Sequence, residues 1–259
     1  MIQVALCPSE IRRISATDLS DVTAVVFDVL RATSSIITGL ASGVEAIFPV
    51  RTVEEARERK VKDPDLLLAG ERGGLPPEGF DLGNSPEEFE KAKGRRVVMT
   101  TTNGTAAIES VQTASKVLIG ALLNIDALAN YLFTHPPGRL LLVCAGTGEE
   151  FSLEDAVAAG ALVARLSDDQ RLSDSAISHE AFTNRLATIF TNGSDRRKTA
   201  RLYGRSAKMP TLLGVRGFRC STWCANSKET RSLVQRSDEE RKDGRTTKDY
   251  PQEQNLVMT

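Results

Sequence analysis

The stretch Val25-Val26-Phe27-Asp28-Val29-Leu30-Arg31-Ala32-Thr33 decides how this chain is read. An apolar run ends in a carboxylate, then a guanidinium, then hydroxyl-bearing residues. Such a run, bounded by polar residues, reads as a buried strand with Asp28 and Arg31 at its C-terminal edge. In open α/β sheets that edge is where ligands bind. A carboxylate for a metal or a nucleophile, beside a guanidinium for an oxyanion, is the pairing that phosphoryl chemistry uses. The plainer alternative makes Asp28 and Thr33 caps of the following helix and Arg31 their partner.

Three further segments repeat the pattern. Arg96-Val97-Val98-Met99 reads as a strand, followed by Thr100-Thr101-Thr102-Asn103-Gly104-Thr105 and a helical Ala106–Val111. Backbone N–H groups at a helix start, joined by threonine hydroxyls and a glycine that permits close approach, predict a phosphate cradle from Thr101, Thr102, Asn103, Gly104 and Thr105. Leu140–Cys144 runs into Ala145-Gly146-Thr147-Gly148, and Ser152-Leu153-Glu154-Asp155 has the form of a capping box. Glu154 and Asp155 are either first-turn acids complementing a helix dipole or metal ligands. The last segment is a long Gly/Pro-rich loop, Gly70–Pro86, holding Glu71, Arg72, Asp81 and Asn84. Loops of this length are uncommon inside compact domains and tend to be functional or disordered. Because Leu66–Ala69 reads as a strand, the loop is expected to leave the same sheet edge as the others; on the plainer reading Asp81 and Asn84 only make turns.

Strands are predicted at 3–7, 23–28, 45–50, 66–69, 96–100, 116–120 and 139–144, with helices at 33–42, 52–60, 86–92, 104–113, 125–133 and 153–166. That alternation predicts the α/β class, with a largely parallel sheet covered by helices on both faces.

The ordered set FDVLRATSSI, GERGG, GFDLGNSP, TTTNGT, LLN at 122–124, VCAGT and FSLEDAVAAGAL resembles the 2-phosphosulfolactate phosphatases over residues 3–166. The resemblance implies a Mg²⁺-dependent hydrolase that converts 2-phospho-3-sulfolactate to sulfolactate, a step associated with coenzyme M biosynthesis, on an α/β fold particular to that family. On this reading Asp28, Arg31, Glu71 and Arg72 form the catalytic group. Asp28 is the first choice for Mg²⁺, with Glu71 or Glu154 next and Asp81 and Asp155 as further candidates. Arg31 and Arg72 grip phosphoryl and sulfonate oxygens, and Thr33, Asn84 and Asn124 join the cradle residues as substrate contacts. Whether Asp28 attacks phosphorus or only binds metal stays open.

Beyond residue 166 the resemblance weakens. Residues 1–226 are expected to form the phosphatase-like domain, with lobes at about 1–170 and 171–226 as one option, and 227–259 a charged and flexible segment too poor in apolar residues to bury much area. With 41% hydrophobic and 26% charged residues in 259, the chain can bury a sizeable core. A net charge of −1 argues against nucleic acid as the main partner. Residues 171–259 carry 17 Lys and Arg against 10 Asp and Glu, whereas residues 1–170 carry 16 against 24. An acidic phosphate binder needs metal ions to offset its carboxylates. Neither a signal pattern nor a membrane-spanning run is evident, so a cytoplasmic protein is expected, with a homodimer left open. Cys144, at a strand end, is expected to be a packed residue, since no arginine follows closely to make a cysteine-phosphatase loop. Two alternatives stand beside this reading. Phe27-Asp28 resembles the nucleophile strand of haloacid-dehalogenase-type phosphatases, but Leu30 replaces their second aspartate; the other alternative is a non-catalytic binder of organic phosphates or sulfonates.

Overall fold

Among residues 1–166, the part of the chain that the computed structural model describes, seven strands alternate with seven helices. In order they are β1 (Ile2–Ala5), α1 (Pro8–Ser15), β2 (Val22–Phe27), α2 (Ala32–Ala41), β3 (Ala46–Pro49), α3 (Val53–Lys62) and β4 (Leu67–Gly70). Then come α4 (Pro86–Glu90), β5 (Arg96–Thr100), α5 (Gly104–Ser110), β6 (Lys116–Gly120), α6 (Ile125–Thr134), β7 (Arg139–Cys144) and α7 (Leu153–Leu166). The expectations for residues 171–226 and 227–259 lie outside the described residues.

All pairings are parallel, which places the fold in the expected α/β class, but the strands divide between two sheets, β1-β7-β2-β6 and β3-β5-β4. A strand has two ladder edges, and β6 and β7 occupy both edges of β2. The strand that feeds the Gly/Pro-rich loop, β4, pairs instead with β5 in the second sheet, which corrects the expectation of one shared edge. Helix α1 is also absent from the sequence reading. Its apolar stripe is only Ile11 and Ile14 amid charged residues, although Pro8 at its first turn is a start signal.

Buried parallel sheets carry continuous apolar runs because both faces are covered. Val25 and Phe27 of β2 face one core with Leu118, Leu128, Leu142 and Leu162. Ala24 and Val26, on the other face, join Ile36, Ile47, Val97, Met99 and Ile108 in a core that includes residues of both sheets. Phe27 lies in register with Gly120 and Cys144, so the loops after β2, β6 and β7 leave one edge together. In the second sheet Gly70 and Thr100 end β4 and β5 side by side. No helix among the described residues is long and apolar enough to cross a membrane.

Candidate active site

Where β2 ends, the chain turns on Asp28. The Asp28 N–H donates to Thr33 Oγ1 at 3.1 Å, and the Thr33 N–H donates to the Asp28 carbonyl at 2.9 Å. The buried Asp28 carboxylate accepts N–H groups of Ala32, at the start of α2, and of Gly104, at the start of α5. It thus accepts amides at two helix starts from the sheet edge, as the plainer reading of Asp28 expects, although Arg31 is not its partner among the described residues. Burial pushes it up to about 6, the charges of Glu71 and Glu154 push the same way, and the two amides oppose them. Gly104 makes this contact possible: a Cβ there would lie 2.5 Å from Asp28 Oδ2 and 2.5 Å from Ala32 Cβ. Arg31, joined to Leu30 by a cis peptide, is half-buried, and its guanidinium has no hydrogen bond or ion pair among the described residues.

The expected cradle is largely engaged by the protein itself. Thr101 and Thr105 bind each other, the Thr101 N–H donating to Thr105 Oγ1 at 2.9 Å and the Thr105 N–H to Thr101 Oγ1 at 3.0 Å. The Thr102 N–H donates to Glu71 Oε1 and the Gly74 N–H to Glu71 Oε2, both at 2.8 Å. Burial raises the Glu71 pKa, but these amides and the nearby Arg72 outweigh it and leave the carboxyl below its ordinary value. The Arg72 guanidinium donates to the carbonyls of Glu71 and Arg51, at 2.7 and 3.1 Å, and to Thr100 Oγ1 at 2.8 Å. Glu71 and Arg72 thus knit the loop after β4 to the loop after β5. The side chains of Thr102 and Asn103 remain accessible on the rim.

Other candidates fall into different places. Asp81 stands on its own ion pair, with Lys60 at 2.7 Å, and accepts the Leu68 N–H at 2.8 Å, which brings the long loop back onto β4. Asn124 is a buried turn brace: its Oδ1 accepts the Ala121 N–H at 3.0 Å and its Nδ2 donates to the Ile119 carbonyl at 2.9 Å. Asn84 is 5% exposed, and its Oδ1 has no hydrogen-bond partner among the described residues, an uncommon state for a buried amide. Cys144 is fully buried, and burial holds its thiol well above the ordinary value, which suits a packed residue and not a nucleophile.

The helix start at α7 separates two neighbouring acids. Asp155 is buried, and its oxygens accept the N–H groups of Val29 at 2.8 Å and Gly146 at 3.2 Å. Its own N–H donates to Ser152 Oγ at a long 3.4 Å, so one half of the anticipated capping box is present. The other half is missing because the carboxylate turns toward the loops. Burial, then the charge of Asp28, pushes Asp155 up to about 8. Glu154 is half-exposed and has no hydrogen bond or ion pair among the described residues. Sequence reasoning anticipated the acids but not the backbone amides of Val29, Ala32 and Gly146 that hold them; the glycine after β7 was the visible hint.

The charges of Glu71 and Glu154 raise the pKa of Asp28, and those of Asp28 and Glu154 raise the pKa of Asp155, in both cases after burial. Hard oxygen donors under mutual repulsion suit a divalent cation. No group of three or more His, Cys, Asp or Glu converges among the described residues. Mg²⁺ is usually bound through one or two carboxylates with several waters, so the donor set fits it. The raised pKa values also set a pH dependence. The folded chain binds more protons than the unfolded one from about pH 4, the unfolded carboxyl range, up to about 6 for Asp28 and about 8 for Asp155, so stability falls as pH rises through that window. Melting temperatures measured in chelator are expected to decline from about pH 5 to about pH 8. A flat or rising profile would contradict the repelling buried pair.

A family model described as 2-phosphosulpholactate phosphatase matches residues 9–206. A Thermotoga maritima protein named "Probable 2-phosphosulfolactate phosphatase" is 49% identical over 146 residues, which is 56% of this chain and 62% of the relative. Proteins of the same name from Caldanaerobacter subterraneus and Deinococcus radiodurans are 46% identical over 157 residues (59% of this chain, 65% of the relative) and 48% identical over 142 residues (54% and 59%). The chain spans less than two thirds of the length of these curated relatives.

Proposed function

The chain belongs to the 2-phosphosulpholactate phosphatase family, and on that premise we propose that it is a Mg²⁺-dependent phosphoric monoester hydrolase acting on 2-phospho-3-sulfolactate. A cytoplasmic setting and a place in coenzyme M biosynthesis belong to the same reading. The observation that supports it best is the meeting at the end of β2 of buried Asp28, the α5 start seated on it through Gly104, and Arg31, whose guanidinium has no partner among the described residues.

Hydrolysis breaks the phosphorus–oxygen ester bond; water supplies the hydroxyl that phosphorus gains and the proton that the leaving alkoxide takes. Asp28 and Glu154 are the residues that would hold Mg²⁺, which when bound neutralises charge on phosphoryl oxygens. Arg31 offers a planar fork to two phosphoryl oxygens and orients the group against Asp28. Thr102 and Asn103 supply hydrogen bonds at the rim. Glu71 and Arg72, engaged with backbone groups, hold the loops after β4 and β5 together beside these residues.

Arg31 gives the reading a sharp test. Arg31→Lys is expected to lower kcat/KM for 2-phosphosulfolactate by about ten- to a hundredfold, since hydrogen bonds to charged groups contribute about 1.5–3 kcal/mol and an ammonium cannot reproduce the fork. The measurement is inorganic phosphate release from 2-phosphosulfolactate and from 2-phospholactate, which lacks the sulfonate. A similar loss on both substrates places Arg31 on the phosphoryl group. A variant that hydrolyses 2-phosphosulfolactate as well as wild type removes Arg31 from the site, and a wild-type chain that releases phosphate from neither substrate defeats the proposal.

A further inference from the structure

We infer that Asp155 is a positioning residue of this centre and not one of its metal ligands: it fixes the turn between Asp28 and Arg31 by tying together the loops that leave two neighbouring strands. The inference rests on the phosphatase reading for its activity readout, while its geometry stands on the loops themselves. The ladder between β2 and β7 ends at Phe27 and Cys144, followed by one last bond, the Ala145 N–H donating to the Phe27 carbonyl at 2.8 Å. Past that point the buried N–H groups of Val29 and Gly146 have no strand to pair with, and a buried donor left without an acceptor is costly. Asp155 meets both, one with each carboxylate oxygen, from the first turn of α7.

Val29 is held from its other side as well, because Ser34 Oγ donates to the Val29 carbonyl at 2.7 Å. The residue following Asp28 is thus held at both its N–H and its carbonyl by side chains from two different helices. The Gly146 end of the tie is equally determined. Its φ is +74°, and a Cβ there would sit 2.5 Å from the Glu150 carbonyl oxygen. With both oxygens facing backbone amides and only 2% of the residue exposed, Asp155 is poorly disposed to take a cation. Glu154, its half-exposed neighbour without a partner among the described residues, is free to do so. An asparagine at position 155 would keep the shape but offer one acceptor for two donors.

The test uses the full chain with Asp155→Asn, and Ser34→Ala as the second variant that loosens the same turn from its other side should the first fail to fold. Each variant is expected to lose about tenfold or more in kcat while the half-activating Mg²⁺ concentration stays within about threefold of wild type, because misplacing reacting groups lowers turnover without removing a ligand. A half-activating Mg²⁺ concentration raised about tenfold or more in Asp155→Asn would make Asp155 a ligand. A kcat within about twofold of wild type, with only a lowered melting temperature, would make its role merely structural. Both results overturn the inference. Amide hydrogen exchange at Val29 and residues 31–33 separates this question from the substrate assignment. Even if the wild-type chain releases no phosphate from 2-phosphosulfolactate, faster exchange there in the variant supports the positioning role, and unchanged exchange defeats it.

Discussion

Asp28→Asn is expected to lower kcat by about two orders of magnitude or more while leaving the melting temperature unchanged or higher. The loss follows from removing a principal charged group in a water-poor site, for which a cost of about 10²–10³ is typical. The stability half of the result follows from burial. Burial and the charges of Glu71 and Glu154 disfavour ionised Asp28, and an amide has no charge to desolvate. The turn survives because its bonds to Thr33 use the Asp28 backbone, and the amide oxygen still accepts an N–H at the helix starts. A gain in stability with a collapse in turnover is the signature of a residue kept for chemistry at the expense of stability. Steady-state kinetics and thermal melts on the same preparation decide it, and a variant with wild-type kcat would reduce Asp28 to a helix cap.

Gly104→Ala is the second large effect, and it acts through packing. The added methyl meets Asp28 Oδ2 and Ala32 Cβ at 2.5 Å, a separation at which something must shift. Ala32 belongs to a helix in the buried core, so the movement falls on Asp28 or on the start of α5. Overpacking of this kind destabilises by about 1–3 kcal/mol, and displacement of Asp28 is expected to lower kcat by about tenfold or more. Gly138→Ala is the matched control, since nothing lies within 4 Å of a methyl at that position. Urea unfolding and turnover should both respond to Gly104→Ala and neither to Gly138→Ala. A Gly104→Ala protein with wild-type stability and rate would show that the α5 start does not press on Asp28.

Much of this was legible in the chain because periodicity and edge position are local properties. The uninterrupted apolar run Ala24-Val25-Val26-Phe27 requires burial on both faces, and Asp28 could only fall at its exit. The apolar Val97-Val98-Met99 core of β5 was equally readable as a strand, yet nothing in it says that it pairs with β3 and β4 and not with β2. Ladder partners are chosen by packing across the whole domain. Helix α1 escaped because two isoleucines make too thin a stripe to read. At the site, sequence identifies which residues bear charge but not whether their lone pairs and protons are already engaged. Arg31 and Arg72 look alike as phosphate grips, but Arg72 donates to two carbonyls and a threonine while Arg31 has no side-chain partner among the described residues. Glu154 and Asp155 are adjacent acids in one helix turn, and the rotation of about 100° between them leaves one half-buried and turns the other into the loops.

The most direct measurement of the central claim is inorganic phosphate release by the full 259-residue chain from 2-phosphosulfolactate, followed with Mg²⁺, then with excess chelator, then with Mg²⁺ restored. The expected result is stoichiometric conversion to phosphate and sulfolactate that stops with chelator and resumes with Mg²⁺. Undiminished release in chelator would contradict the metal assignment, and no release under any of the three conditions would contradict the phosphatase itself.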